Sequence, residues 1–500
     1  MNVSEFNSAR VRDVNGKGFN QYGRYILYWM QSSRRFHSNH SLDYAVQLSQ
    51  KSGRPLVIYE GLGSAYPWNS ERIHRFILEG MAENRVFAEK NGITYWSFAE
   101  SRKNPAGRIL RTISEDAYAV ITDDNPSFIF PEQTLKLSQK INVQLTAVDS
   151  NGIIPLKHYG EPVSAARVLR PRLHRLFAEG YMNRAVREHS WKKILFLKEK
   201  APFTEFTAGK GAVESVLSDI DFSYSVGPAA SVSGGRNAGL GRLNDFIIKK
   251  LSKYSERSNP YPPELSSASG LSPYVHFGLL SADEIAEAVL NAASEDRWSP
   301  DLLNPGNRFN KENFFHSGGK ADPFLDELLT WRDVGFLLFF GKPEFRKDLN
   351  VLPDWAKKNM EKHRKDRREF LYRKERWESA DTHDELWNAG MKELIFTGTM
   401  HNYMRMYWGK KMIEWSASFE EAFDSMEHLN NLYAYDGRDP NSYTGILWCF
   451  GLFDRPWFPE RNVLGNFRYM SGPSMRKKFK MDAYLAYTDN LDRNNGGLFG

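Results

Sequence analysis

The chain has 500 residues, of which 41% are hydrophobic, and a formal net charge of +6. This length exceeds what one hydrophobic core serves, so the sequence predicts two or three domains, and the mild positive charge permits an anionic partner without identifying one. Because Cys449 is the single cysteine, an internal disulfide and every multi-thiolate zinc or iron–sulfur site are excluded. No apolar run approaches the roughly 18 residues of a membrane span. We therefore expect a soluble intracellular protein, cytoplasmic, nucleoid-associated or nuclear, with no membrane contact and no metal site.

The first 150 residues alternate short runs of β-forming residues with amphipathic segments. This alternation is typical of βαβ units, in which parallel strands are connected by helices that cover both faces of the sheet. We predict an α/β domain over residues 1–185, built on a doubly wound, five-stranded parallel sheet. The predicted strands are RYILYWM, RPLVIYE, NGITYWSF, AYAVITDD and NVQLTAVDS.

The second half of the chain has a different pattern. Glycine, serine and proline accumulate in SYSVGPAASVSGGRNAGLG, which indicates a surface connection, and we predict a linker over 186–235. From Arg242 onward helical periodicity dominates, so we predict an all-α domain over 236–500.

One glycine- and serine-rich segment of this helical half precedes a proline that can open a helix. It reads SASGLSPYVHFG, residues 267–278. Backbone amides at a helix start bind anions, so Ser269, Gly270, Leu271 and Ser272 are candidates for holding a pyrophosphate. The alternative is a simple helix cap by Ser272.

Two further segments combine aromatics, amides and charges in a way that core packing alone does not require. They read MHNYMRMYWGKK (400–411) and DGRDPNSYTGILW (436–448). If the first is helical, Asn402 and Arg405 share a face. Trp408 and Trp415 then lie about 10.5 Å apart along the axis, a spacing suited to electron hopping. Arg405 and Asp436 are candidates for a charged pair beside a ring system, with a buried clamp between helices as the alternative.

Both segments match the signature of class II DNA photolyases, and the chain resembles that family densely over 236–485 and more loosely before 185. These flavoenzymes use light to split cyclobutane pyrimidine dimers (CPDs). The resemblance implies a folded FAD, fully reduced in the active form. Its contacts would be Tyr254, Ser269, Gly270, Leu271, Ser272, Asn402, Arg405, Asn430, Asp436 and Asp439, with Asn430 facing the reactive flavin nitrogen. It also implies an electron relay through Trp387, Trp408 and Trp415, supported by Tyr372.

The resemblance also assigns a lesion pocket and a DNA surface. Glu327, Trp331, Met406 and Trp448 would receive the flipped dimer, and Arg455 and Trp457 would fill the void left in the duplex. Backbone phosphates would be neutralised by Arg468, Arg476, Lys477 and Lys478, for which solvated surface charge is the alternative. The chain departs from the family pattern at Leu337, at Phe453 and in WFPER, which is one residue longer than usual.

The resulting hypothesis is a monomeric, light-dependent lyase that repairs CPDs in UV-damaged DNA by electron transfer from excited reduced FAD. An antenna pigment such as a deazaflavin in the first domain is suggested by family analogy, although no motif specifies it. The alternatives are a cryptochrome-like photoreceptor, an enzyme for (6-4) photoproducts and a flavin-free helical nucleic-acid binder. The (6-4) enzymes place a histidine where this chain has Met406.

Overall fold

One sheet organises the first part of the chain in the computed structural model, which describes residues 5–260, 262–263, 265–315, 320–342, 344 and 348–494. The sheet has six strands in the order β1-β6-β5-β2-β3-β4. Numbered along the chain, they are Val11–Asp13, Tyr25–Met30, Leu56–Leu62, Tyr95–Ala99, Ala117–Asp123 and Leu145–Val148. The strands β2 to β6 pair in parallel and correspond to the five predicted segments.

The prediction of a purely parallel, five-stranded sheet was incomplete at one edge. There β1 pairs with β6 in the antiparallel direction. This strand has three residues, of which Arg12 and Asp13 are exposed, so it has neither the length nor the apolar alternation by which strands are recognised. A short, charged edge strand also discourages pairing with other chains.

Both faces of the sheet are covered. Consecutive side chains of β2 point to opposite faces, yet all six are buried. Ile26 and Tyr28 belong to one apolar cluster with Leu42, whereas Leu27 belongs to another with Leu137. Leu42 lies in the helix His40–Ser52 and Leu137 in the helix Phe130–Ser138. The prediction of a doubly wound α/β domain is therefore confirmed.

Helices account for most of the remaining regular structure. Up to residue 185 they are Glu5–Ser8, His40–Ser52, Glu71–Asn91, Ile109–Glu115, Phe130–Ser138, Leu156–Tyr159 and Ala166–Met182. The later α-helices are Ala212–Leu217, Arg236–Lys249, Ser272–His276, Ala282–Ala293, Asp322–Leu325, Arg332–Phe339, Asp354–His363, Lys374–Glu378, Glu385–Thr397, Asn402–Trp415, Phe419–Tyr433, Pro440–Cys449, Gly472–Lys478 and Met481–Asn494. The 3-10 turns are Trp191–Lys193, Leu251–Glu256, Pro300–Leu302, Pro305–Asn307 and Leu349–Val351, and Asp326–Trp331 is a π-helix.

Every strand in the described part of the chain lies before residue 149, so the prediction of a helical second half is confirmed. Among the helices that the structure describes, none has the length and apolar character needed to cross a membrane. The ranges 1–185, 186–235 and 236–500 stay predictions. Residues of the proposed linker pack against the sheet domain, since the Phe206 amide donates to the Ser97 carbonyl of β4 at 2.8 Å.

A buried arginine ties the sheet domain to the helical half. Arg72, at the start of the helix Glu71–Asn91, is 3% exposed. Its guanidinium donates to the carbonyl oxygens of Ile395 at 2.6 Å, Tyr433 at 2.7 Å and Gly227 at 2.9 Å. The acceptors at 395 and 433 lie near the ends of two helices, where carbonyls have no partner within the helix.

We expect Arg72→Met to lower the free energy of unfolding by about 3 kcal/mol, because several buried carbonyl groups lose a charged donor. Urea denaturation followed by circular dichroism measures this loss. The matched control is Arg75→Met, since Arg75 lies one turn further along the helix and pairs with Glu71 and Glu214, which are more than a third exposed. Such pairs contribute little, so equal losses in the two variants would contradict the assigned role of Arg72.

Candidate active site

The ion pair proposed from the sequence is present. Arg405 lies in the first turn of the helix Asn402–Trp415, and Asp436 lies in the loop that follows the helix Phe419–Tyr433. Arg405 Nη2 donates to Asp436 Oδ1 at 3.2 Å, and the two side chains are 25% and 20% exposed. The alternative, a fully buried Arg–Asp clamp between two helices, is therefore not observed. The pair borders an accessible space, as a ligand contact requires.

A second contact brings the segment 267–278 to the same loop. His276 Nδ1 lies 3.2 Å from Asp439 Oδ2, and Asp439 Oδ1 caps the helix Pro440–Cys449 by accepting from the Asn441 amide. Burial alone would raise the pKa of Asp439, but the hydrogen bond and charge of His276 outweigh it and hold that pKa below its usual range. Asp439 is thus a carboxylate that joins two of the sequence motifs.

Asn430 and Asn402 have different surroundings. Asn430, in the last turn of the helix Phe419–Tyr433, is 3% exposed and donates from Nδ2 to Ser442 Oγ. Asn402, the first residue of its helix, is exposed. Of the two side-chain amides, that of Asn430 is buried and is held in place by its hydrogen bond to Ser442.

Residues 269–272 form a tight bend before the short helix Ser272–His276. Gly270 has φ +66°, a left-handed conformation that glycine adopts without strain. Ser269 Oγ accepts from the Leu271 amide, while Ser272 is the first helical residue and does not cap the helix. A Cβ atom at Gly270 would lie 3.4 Å from the Arg242 side chain, so a cation borders this exposed bend. A glycine bend beside a guanidinium suits a diphosphate.

Two further observations support the fit of a ring cofactor. The indole Nε1 of Trp408 is buried and has no hydrogen-bond partner among the described residues. Tyr254 is 7% exposed and packs edge-on against Phe246 and Phe324, with the Arg257 guanidinium 4.6 Å from its ring. The residues present therefore fit FAD: a bend for phosphate, an Arg–Asp pair, a buried amide and an unpartnered indole.

The residues assigned to the lesion pocket lie on two elements. Trp331 ends the π-helix Asp326–Trp331, a helix type that occurs frequently at functional sites. Its ring stacks on Trp448 of the helix Pro440–Cys449, with centroids 4.9 Å apart and planes 26° apart. Phe453, one of the departures from the family pattern, packs edge-on against Trp448 at 6.3 Å. Leu337, a second departure, is 1% exposed in the core.

Glu327 is linked to the helix Asn402–Trp415 through an arginine. Its Oε1 pairs with Arg257 Nη2, and the Arg257 carbonyl lies 2.7 Å from Nε2 of His401, the residue that caps the helix. Burial raises the pKa of Glu327 above the ordinary glutamate value, against the lowering effect of Arg257. Met406 lies on the same helix and is partly buried against its core cluster.

The assigned tryptophans are core residues. Trp387 and Trp408 are nearly parallel, 10° apart, with centroids separated by 6.3 Å, and Trp387 Nε1 donates to the Trp408 carbonyl at 3.1 Å. Trp415 contacts Tyr372 at 5.9 Å. A fourth indole, Trp377, was not singled out from the sequence and lies between Trp387 and Trp415, at 4.8 and 6.3 Å.

In the loop assigned to DNA insertion, Trp457 is partly buried and its neighbour Phe458 is the more exposed ring. The guanidinium groups of Arg455 and Arg468 lie over the Trp457 ring, at 4.9 and 5.2 Å from its centroid, and the indole Nε1 donates to Asp454 at 3.1 Å. Phe458, which follows Trp457, is 81% exposed. The extra length of WFPER thus places a phenylalanine at the tip of a basic loop.

The other proposed phosphate contacts lie on the helix Gly472–Lys478 and are exposed. Arg476 pairs with Glu385, and Lys478 donates to the Tyr403 hydroxyl at 2.8 Å. Surface pairs of this kind are weak, so they leave these cations available to a polyanion.

No protein-family model matches the chain. A deoxyribodipyrimidine photo-lyase of Methanothermobacter thermautotrophicus is 31% identical over 479 residues, which cover 96% of this chain and 97% of that protein. The chain belongs to the photolyase family. The prediction of an enzyme of this family is thereby confirmed.

Other photolyases are similar over most of their length. The protein of that name from Arabidopsis thaliana is 29% identical, over 93% of this chain and 89% of its own. The one from Potorous tridactylus is 28% identical, over 95% and 83%.

Solved structures share the fold. A class III photolyase from Agrobacterium tumefaciens has a TM-score of 0.64 at 19% identity, covering 95% of this chain and 87% of its own. A cryptochrome from Synechocystis has a TM-score of 0.65 at 16% identity, covering 94% and 89%. Photolyases and a cryptochrome therefore share this architecture, and function depends on the site.

A glycine lets the photolyase helix that carries Arg405 and Trp408 approach its neighbour. A Cβ atom on Gly409 would lie 2.6 Å from Cys449 Sγ. We expect Gly409→Ala to lower the free energy of unfolding by about 1–3 kcal/mol, because the two helices must separate. Gly445→Ala is the control, since a Cβ atom there meets nothing within 4 Å and a helical alanine is favoured over glycine by about 1 kcal/mol. Chemical denaturation measures both, and a neutral Gly409→Ala would contradict the close approach.

Proposed function

We propose that the protein is a class II CPD photolyase, a lyase that uses light to split cyclobutane pyrimidine dimers in DNA. The observation that carries the proposal is the convergence of three distant sequence motifs. Arg405 of the first motif pairs with Asp436 of the second, and Asp439 of the second contacts His276 of the third. Core packing alone does not require such a meeting of charged groups.

We assign the cofactor site to these residues. Residues 269–272, with Arg242 beside them, would hold the diphosphate, and Arg405 with Asp436 would fix positive and negative poles beside the isoalloxazine. Asn430 would present its amide to the reactive edge of the ring. When bound and fully reduced, FAD supplies the electron that opens the cyclobutane ring and regains it afterwards.

The lesion would be extruded from the duplex and received by the aromatic pair Trp331 and Trp448. Aromatic faces stabilise unstacked bases by about 1–3 kcal/mol each, and dimers stack poorly in DNA, so extrusion is favoured. Glu327, held by Arg257, would hydrogen-bond the pyrimidine edge. Met406 would line this pocket at the position where (6-4) enzymes place a histidine, which favours CPDs as the substrate.

Assignment to class II is supported by the relay residues Trp387, Trp408 and Trp415, with Tyr372 at its outer end. The protein would act as a monomer on UV-damaged DNA inside the cell. Arg468, Arg476, Lys477 and Lys478 would contact phosphates, each steepening the salt dependence of binding by about one unit.

A cavity of about 650 Å³ at the sheet domain supports an antenna pigment. It opens at the carboxyl ends of β2 to β4, where ligands bind in open α/β sheets. Aromatic side chains, Trp29, Tyr59 and Phe98, line it together with the cations Arg34, Arg108, Arg111, Lys136, Lys140 and Arg438. Such a lining suits a planar, anionic chromophore, for which we propose a deazaflavin. A photolyase from Sulfolobus tokodaii, similar in fold with a TM-score of 0.59 at 16% identity, over 92% of this chain and 88% of its own, was solved with two FAD molecules.

The direct test uses purified protein, an absorption spectrum and UV-irradiated DNA. We expect flavin absorption, photoreduction in the presence of a reductant, and loss of CPDs in the light but not in the dark. Bound flavin without repair would instead identify a photoreceptor. Protein that binds DNA without flavin would identify a helical nucleic-acid binder.

For the lesion pocket, we expect Glu327→Ala to reduce the repair rate of the chemically reduced enzyme far more than Glu327→Gln. The glutamine amide retains an oxygen that accepts from a pyrimidine N–H, whereas alanine leaves that group unpaired. Single-turnover repair of a CPD-containing oligonucleotide measures the rates. Equal activity of the alanine variant and the wild type would remove Glu327 from the pocket.

For the DNA surface, we expect Phe458→Ala to weaken binding of a CPD duplex by about tenfold, near the lower end of the energy of base–aromatic stacking. Apolar side chains on such loops enter the duplex as wedges. Fluorescence anisotropy in the dark measures the affinity. Tyr22→Ala is the control, since Tyr22 is 96% exposed on the sheet domain and should be neutral. An unchanged affinity of Phe458→Ala would place the wedge elsewhere on the loop.

A further inference from the structure

The aromatic core of the helical half contains a continuous series of rings from Trp408 to the surface. Trp408 faces Trp387 at 6.3 Å, Trp387 contacts Trp377 at 4.8 Å, and Trp377 faces Trp415 at 6.3 Å with planes 10° apart. Among the described residues, the ring contacts of Trp415 are with Trp377, Tyr372 and His383, and they include neither Trp387 nor Trp408. The series is continuous only through Trp377.

The surroundings of Trp377 suit an electron carrier. The residue is 0% exposed, and its Nε1 has no hydrogen-bond partner among the described residues. An oxidised indole loses its proton only to a base or to water. Because the indole nitrogen is buried and no side chain or carbonyl among the described residues accepts from it, Trp377 has no protein base to take its proton when it is oxidised, and the next donor can restore it by an electron alone.

At the outer end of the series, in contrast to Trp377, the ring has a proton acceptor beside it. The Tyr372 hydroxyl lies 2.6 Å from His383 Nδ1, and the backbone amide of His383 donates to the same hydroxyl oxygen at 3.0 Å. In the Nε2–H tautomer of His383, Nδ1 is an acceptor and the phenol hydrogen is donated to it. His383 is exposed, so a proton that it accepts can pass to water. Its ring stacks on Phe370 at 3.7 Å, which fixes its orientation.

We propose that Trp377 links Trp387 to Trp415 and that the oxidised end of the relay is a neutral Tyr372 radical whose phenolic proton is taken by His383. This proposal rests on the proposed function, in which Trp408 loses one electron to light-excited flavin, the oxidant. Trp387 then returns one electron to Trp408, Trp377 returns one to Trp387, and Trp415 returns one to Trp377, so that the oxidised residue is finally Trp415. One electron then moves from Tyr372 to the Trp415 radical cation, and one proton moves from the phenol oxygen to Nδ1. The products are a phenoxyl radical, a neutral indole and an imidazolium.

The first arm of the test uses Trp377→Phe, which keeps an aromatic ring but cannot be oxidised at the potential of an indole. Transient absorption after a flash should show the radical confined to Trp408 and Trp387, followed by rapid recombination and loss of the long-lived charge separation. Trp191→Phe is the matched control, because Trp191 is also buried with an unpartnered Nε1 but contacts no other tryptophan among the described residues. Wild-type photoreduction in Trp377→Phe would overturn the link.

The second arm uses His383→Phe, at an exposed position where folding is tolerant. Electron paramagnetic resonance should show a tyrosyl radical in the wild type and an indole radical in this variant. Formation of the wild-type radical should slow in D₂O, and the variant should lose this isotope effect. A tyrosyl radical formed equally well without His383 would overturn the proton transfer.

Chemically reduced forms of these variants should still repair CPDs at the wild-type rate, since the relay serves only to reduce the flavin. If the wild type binds no flavin or repairs no CPD, the proposed function fails. If repair is intact while the variants photoreduce normally, only the relay proposal fails.

Discussion

The loop from Ala434 to Asp439, on which the cofactor site depends, is held from inside by one buried guanidinium. Arg438 is 2% exposed and has φ +68°, and it donates to carbonyl oxygens of Asn431, Ala434 and Tyr435, while Asn431 Oδ1 accepts its backbone amide. Burial lowers the pKa of Arg438 to about 10, so the group remains charged at neutral pH. The hydrogen bonds to these carbonyl groups offset the energetic cost of the strained Arg438 backbone and of its desolvated charge. They also fix the loop on either side of Arg438, and with it the directions of Asp436 and Asp439.

The same arginine lies between the two regions to which a function is proposed. The Ser127 hydroxyl donates to its carbonyl at 3.3 Å, and its side chain lines the cavity at the sheet edge. A single residue therefore borders both the proposed antenna pocket and the loop of Asp436 and Asp439. If the proposed antenna pigment is bound, light harvesting would require a fixed distance between two chromophores, and this shared wall would supply it.

Strong local patterns made much of this architecture predictable. The five parallel strands are apolar, β-branched or aromatic runs between helical segments, and burial on both faces leaves such runs without alternation. Strand β1 was missed because a run of three residues, of which two are charged, has no strand pattern of its own and is defined only by its pairing with β6. The alternative role of Ser272 as a helix cap was not observed. A capping residue precedes the helix, whereas Ser272 is the first helical residue.

The partners within the site were less predictable, because they are distant in sequence. Arg257 reaches Glu327 across 70 residues, and no periodicity indicates that contact. Trp377 resembles an ordinary core residue in the sequence, and only the arrangement of rings around it distinguishes it. The exposure of Phe458 was not predicted, because the family pattern directed attention to Trp457 and a phenylalanine in a sequence is read as a core residue.

The tight contact between Gly409 and Cys449 has a practical consequence. Burial raises the pKa of this thiol, and its sulfur is wedged against a neighbouring helix, so few molecules carry an accessible thiolate. Since the chain has no other cysteine, a cysteine introduced at an exposed position would be the sole site for maleimide labelling. The native fold thus offers a ready background for attaching one spectroscopic probe without first removing a natural thiol.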